Sequence, residues 1–181
     1  MSLLSLALGD YGIYKIFEDK AGPAQKAPDA PLVIAPIDDP KAIARAPDSE
    51  IAALATYART GTWAFGAWLD GELAACCWYS DASADSQKST WPIRDGEAKL
   101  LQINTAPRFR GRGLARALIG HSSALMRQRG FAPLYARIWH SNAASQAAFL
   151  AAGWVRRALV IEVEPFGIGR PRRVVIDRRP G

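Results

Sequence analysis

One segment constrains this chain more than any other. It runs Ile103-Asn104-Thr105-Ala106-Pro107-Arg108-Phe109-Arg110-Gly111-Arg112-Gly113-Leu114-Ala115-Arg116-Ala117-Leu118. Before it, Lys99 to Thr105 reads as a strand, ended by Ala106-Pro107. After it, Leu114, Ala117, Leu118 and Leu125 fall at helical spacing up to Gly130, a C′ glycine. A strand that turns through two glycines into a helix is the building unit of an α/β sheet. Gly111 and Gly113 let the backbone turn tightly and approach a ligand closely. The first N–H groups of the helix have no partner inside it, and the dipole there favours anions. Arg108, Arg110, Arg112 and Arg116 surround the turn, and a guanidinium fork matches phosphate oxygens. The segment describes a pyrophosphate cradle.

Other phosphate motifs fit less well. The dinucleotide fingerprint needs a small third residue, and Gly111-x-Gly113 leads to Arg116 there. The P-loop pattern is absent. Gly120-His121-Ser122-Ser123-Ala124 approaches a nucleophile elbow, but it ends in Ala and lies in mid-helix.

The remaining elements are read from pattern. Tyr11 to Phe17 is a strand, and residues 19–48 form an Ala-, Pro- and Asp-rich loop holding one strand around Leu32-Val33-Ile34. Asp48-Ser49-Glu50 starts a helix carrying Ile51, Leu54 and Tyr57. Trp63 to Trp68 and Leu73 to Tyr79 form a hairpin through Asp70-Gly71, followed by a Ser- and Asp-rich loop over 80–92. Leu134 to Trp139 is a strand, 142–152 an Ala-rich helix ended by Gly153, and Leu159–Val163 with Val174–Ile176 a closing hairpin within about 158–177. With 181 residues, no repeat and no linker, we expect one domain over 1–181, α/β with a mixed sheet.

Composition narrows the classes. Hydrophobic residues make up 49% and charged residues 22%, enough for a sizeable core. No apolar run reaches the ~20 residues that span a bilayer, and the opening residues make a poor signal peptide. Cys76 and Cys77 are adjacent in an apolar stretch, so they read as packing residues. With two His and no Cys/His cluster, no metal is expected. The expectation is a cytoplasmic protein. The formal charge of +6 is uneven: residues 1–100 carry 9 basic and 14 acidic side chains, residues 101–181 carry 14 Arg and 3 acids. A polyanionic ligand, nucleic acid, an acidic membrane, or a genome that prefers Arg would each account for it. Arg170-Pro171-Arg172-Arg173 and Arg178-Arg179 lie outside the turn and read as solvated surface.

Arg110-x-x-Gly113-x-Ala115 resembles the R/Q-x-x-G-x-G/A signature of the GNAT superfamily of acetyl-CoA-dependent acyltransferases. Trp139-His140-Ser141-Asn142 through Phe149 to Gly153-Trp154 resembles the strand-Asn-helix element of the same family. The two lie in the family's order and spacing and cover about residues 99–155. The resemblance implies a GNAT-type acyl-CoA N-acyltransferase fold. In it, two central parallel strands splay to hold CoA, and helices cover both faces. It implies acetyl-CoA as co-substrate. The backbone of Arg110, Gly111, Arg112, Gly113, Leu114 and Ala115 would bind the pyrophosphate, and the side chains of Arg108, Arg110, Arg112 and Arg116 would add charge there or reach the adenosine phosphate. The main chain of Ile103, Asn104 and Thr105 would pair with pantetheine. Asn142 would bond the pantetheine arm, and Ser145 and Phe149 would line the helix near the thiol. Many relatives carry Tyr where Phe149 stands, and Phe has no proton for the leaving thiolate.

Acetyl transfer to an amine needs positioning, a proton acceptor and oxyanion stabilisation. An N–H of the splayed strand around Ile103 to Thr105 suits the oxyanion. The candidate bases are Glu97 and His140, with Tyr79 and Tyr135 behind them. Without a bulge, Glu97 shares a strand face with Lys99, Leu101 and Ile103, and an imidazole titrates near neutrality. The expected acceptor is the primary amine of a small molecule, arriving as a cation at the acidic first half. Neither membrane nor nucleic acid is called for, and a homodimer through the closing strands is implied by resemblance alone. The alternative is a catalytically silent module of this fold that holds CoA structurally or contacts nucleic acid through its tail. Trp63, Trp68, Trp78 and Trp91 are candidate walls for an acceptor pocket.

Overall fold

The computed structural model describes residues 10–20, 31–85, 89–164 and 172–177. Among the described residues eight strands form one sheet: β1 (Asp10–Asp19), β2 (Leu32–Ile37), β3 (Thr62–Leu69), β4 (Glu72–Asp81), β5 (Ala98–Thr105), β6 (Leu134–Trp139), β7 (Trp154–Glu164) and β8 (Arg172–Asp177). The helices are α1 (Pro40–Ala44), α2 (Ser49–Ala52), α3 (Leu114–Gln128) and α4 (Ala143–Ala151), with single 3₁₀ turns at Ala53–Tyr57 and Pro107–Phe109. No helix among the described residues is long and apolar enough to cross a membrane.

The strand order is β2-β3-β4-β5-β6-β1-β7-β8. β5 and β6 are parallel; every other neighbouring pair is antiparallel. The hairpin of β3 and β4 turns at Asp70 (φ 53°) and Gly71 (φ 80°), the two positive dihedrals a tight hairpin turn demands. β1, the first of the described strands, inserts between β6 and β7. Its side chains Ile16 and Phe17 are buried on opposite faces there.

The sheet has two covered faces. α3 and α4 pack Leu114, Leu118, Ile119, Met126 and Phe149 onto one face, against Phe65, Tyr79, Leu100 and Trp154. On the other, Ile43 of α1, Ile51 of α2 and Leu54 meet Ala64, Cys76 and Trp78. Helices on both faces of a mixed sheet are what the family resemblance implies. Two details differ from the sequence pattern. α1 stands where the pattern indicates loop, because five residues show no periodicity; Asp39 caps it and Pro40 occupies its first turn. The helix after Asp48 is only one turn long before it tightens to 3₁₀. The turn between β7 and β8, with Arg170 and Pro171, and the tail arginines Arg178 and Arg179 lie outside the described residues. Arg173 pairs with Glu162.

Candidate active site

The site starts from an interruption of the sheet. β5 and β6 pair only at Ala98, Lys99 and Leu100 against Leu134, Tyr135 and Ala136. Beyond those residues they part, so Ile103, Asn104 and Thr105 pair with β4 on one side and leave the other side of their backbone open. A cavity of about 650 Å³ fills the gap. Leu100 to Ile103 and Ala136 to Trp139 form its two walls.

A β-bulge shapes the first wall. Tyr79 stands opposite Leu100 and Trp78 opposite Gln102, so Leu101 has no counterpart. The extra residue reverses the facing of the rest of the strand. Leu100 and Ile103 both pack toward α3 and α4, although they are three apart. The uninterrupted alternation of Glu97, Lys99, Leu101 and Ile103 therefore does not hold.

The Arg/Gly turn sits at the open end of β5. Gly111 (φ 78°) and Gly113 (φ 76°) are in the left-handed region. Open space lies where a Cβ would point from either. Gly113 is the N-cap of α3 and provides no side-chain cap. The first-turn N–H groups of Leu114, Ala115 and Arg116 thus keep their donors for a ligand. Two of the four arginines are already engaged. Arg110 donates from Nε to the Thr105 carbonyl (3.0 Å) and pairs with Glu50 of α2. Arg108 pairs with Glu72, and its guanidinium lies over the Phe109 ring. Arg112 also stacks on Phe109 and, like Arg116, has no carboxylate partner among the described residues.

Asn142 is the N-cap of α4: its Oδ1 accepts from the Ser145 N–H at 3.0 Å. Asn142, Ser145 and Phe149 also line the cavity, so one short helix caps itself and walls the gap. Phe149 is buried edge-to-face on Trp154 at 4.9 Å. The loop before α4 is clamped by β1. The His140 N–H donates to the Ile13 carbonyl (2.9 Å), and Lys15 bonds Gln146, whose Nε2 donates to the His140 carbonyl (2.7 Å).

The candidate bases are placed differently from one another. Glu97 precedes the closed end of β5, where its carboxylate accepts from the Arg94 N–H (2.9 Å), and it does not line the cavity. His140 is exposed at the open end of β6, its ring 5.6 Å from that of Trp139, which does line it. Tyr79 is in the core: its hydroxyl shares hydrogen bonds with Ser122 and Ser123, and burial pushes its pKa up. The near-miss elbow serines are therefore core partners of α3, joined by the Trp154 indole N–H on Ser123. Tyr135 packs on Trp91. Cys76 and Cys77 are fully buried, and burial raises both thiols.

Residues that sequence reasoning does not single out complete the cavity: Tyr14, Arg59, Asp85, Thr90, Lys99 and Arg137. Their pairings span distant segments and carry no local signal. Among the tryptophans named from sequence, Trp91 lines this cavity, whereas Trp63 and Trp78 line a second one of about 360 Å³ beside Arg129.

Residues 32–154 match the profile of the acetyltransferase (GNAT) family. The chain belongs to the GNAT acetyltransferase family. Solved structures share its fold. A GNAT-family acetyltransferase of Novosphingobium aromaticivorans superposes with a TM-score of 0.57 at 21% identity, over 86% of this chain and 65% of that one. The ribosomal-protein-S18-alanine N-acetyltransferase of Escherichia coli gives 0.53 at 18%, over 82% and 96%. A GNAT acetyltransferase of Colwellia psychrerythraea gives 0.55 at 17%, over 98% and 62%. This chain thus spans a little under two thirds of the Novosphingobium and Colwellia proteins. No curated protein matches it in sequence.

Proposed function

We propose that this GNAT protein transfers the acetyl group of acetyl-CoA to a primary amine of a small molecule, by direct attack while both are bound. The observation that carries this reading is the gap between β5 and β6 beside the uncapped N-terminus of α3. The turn from Arg110 to Ala115, with Arg108 and Arg116 nearby, would hold the pyrophosphate. The open backbone of Ile103, Asn104 and Thr105 would pair with the pantetheine arm, which Asn142, Ser145 and Phe149 flank. That threads the thioester into the cavity, where an N–H of β5 can face the developing oxyanion. Position along the strands favours His140 over Glu97 as proton acceptor, since the strands are open at the His140 end. Phe149 leaves the departing thiolate without a side-chain acid at that position, so water takes this role.

The test is thiol release from acetyl-CoA with a panel of amines. Release that depends on one class of amine is the expected result. CoA binding without turnover of any amine overturns the enzyme reading and favours a silent binding module. Unchanged CoA binding by Gly113→Glu overturns the cofactor site.

A further inference from the structure

The sequence places the acidic half of the chain around the acceptor, yet the cavity itself is basic. Among its described lining residues Arg59, Lys99 and Arg137 are cationic and Asp85 alone is anionic. The Asp85 carboxylate is occupied within the protein. Its Oδ1 accepts from Lys99 Nζ (2.7 Å) and its Oδ2 from the Ile93 N–H (3.3 Å). Lys99 also donates to Ser89 Oγ (2.7 Å), so the buried pair is closed on itself. No described carboxylate of the lining is left to receive an ammonium group.

Arg137 is different. It projects from β6, where that strand has parted from β5. Its Nη1 donates to Thr90 Oγ1 (2.9 Å), and its guanidinium lies over the Tyr14 ring, 4.5 Å from the centroid. Thr90 donates in turn to Glu162 (2.9 Å), which leaves its hydroxyl oxygen to accept from Arg137. The Tyr14 ring lies across Gly12, where a Cβ would meet it at 2.5 Å. The guanidinium is therefore oriented from two sides but has no carboxylate partner among the described residues. None of residues 108–116 of the Arg/Gly turn lines this cavity. Arg137 pairs in register with Ile16, which packs with Trp91 and Tyr135, on the face opposite α3 and α4.

We propose that the acceptor is an amine that carries a carboxylate, and that Arg137 holds that carboxylate. This rests on the acetyl-transfer reading of the cavity. A polycationic acceptor meets repulsion there from Arg59 and Arg137, whereas an amino-acid-like acceptor brings its own anion to a planar, oriented donor fork. The same positive field favours the neutral form of the attacking amine, the form that bears the lone pair.

The test is calorimetry on protein saturated with CoA. The titrants are N-acetyl amino acids with small, branched and aromatic side chains, each matched with its carboxamide. We expect at least one acid to bind tenfold or more tighter than its amide. We expect that difference to fall below threefold in Arg137→Gln and to return in part in Arg137→Lys. Thr90→Val, which removes the hydroxyl that orients Arg137, reads the same contact if Arg137→Gln fails to fold. Equal affinity for acid and amide, tighter binding of the amides, or no binding of either by protein that binds CoA overturns the proposal. Failure to bind CoA at all overturns the acetyl-transfer reading, and this proposal with it.

Discussion

Gly113 combines two demands on one residue. Its φ of 76° costs an L-residue about 1–2 kcal/mol, and its N–H neighbours face outward at the start of α3. Gly113→Ala is expected to lower stability by about that amount, read by chemical denaturation, with CoA affinity reduced severalfold. Gly113→Glu adds a carboxylate at the anion site and is expected to weaken CoA binding at least a hundredfold. Asn142 also has two roles, cap and cavity wall. Asn142→Ala should cost about 1 kcal/mol and raise KM for acetyl-CoA, while Asn142→Asp keeps the cap and restores the stability alone. Cys77 and Tyr79 predict alkaline sensitivity. Burial raises both, from 9.0 to about 12 for the thiol. The folded state thus holds protons that the unfolded chain releases. Stability is full below pH 9 and declines as pH rises from there through the folded values. Cys77→Ala should flatten that decline in denaturation midpoints measured between pH 9 and 11. Of these residues, the glycine turn and the asparagine cap are legible in sequence, because strain and capping act within a few positions. Arg137, Lys99 with Asp85, and Tyr14 are not, because each acquires meaning only from a partner brought in by the sheet.

At the level of elements, the bulge in β5 decides which side chains face which way. Period-two alternation read from sequence assumes an unbroken ladder, and one unpaired residue at Leu101 defeats it. This is why Glu97 and Ile103 share one face by sequence and yet are separated by the fold. Deleting Leu101 removes the bulge and leaves Leu100 and Ile103 two apart, so strict alternation returns with both still facing α3. Leu101 lines the cavity, so the expected outcome is weaker CoA binding by a chain that still unfolds cooperatively, checked by calorimetry on the same sample. α3 and α4 are legible for the opposite reason. Their apolar spacing and terminal signals, Gly113 and Gly130 for one and Asn142 and Gly153 for the other, are complete within each segment.

For the molecule as a whole, strand order is the least legible property. Tyr11 to Phe17 announces a strand, but nothing in it states that its neighbours are Trp139 and Ile161 rather than Leu32. Pairing across such separations is set by competition among all edges at once, so it leaves no local signature. The consequence for stability is direct. A chain lacking residues 1–19 loses Ile16 and Phe17 and separates β6 from β7, so it should show no cooperative unfolding transition. Of the described elements, removing the chain from residue 171 onward takes away β8 alone, whose Val174, Val175 and Ile176 are half exposed. That shorter chain should still unfold cooperatively, at a reduced midpoint. The place of β1 also sets a timetable for synthesis. This strand is made before any other described element, yet its partners β6 and β7 are translated more than a hundred residues later. The nascent chain must keep an aromatic, β-branched segment unpaired throughout that interval, and the clamp on the loop before α4 cannot form until it ends. Stalled translation products should therefore be targets for chaperones rather than partly active enzymes.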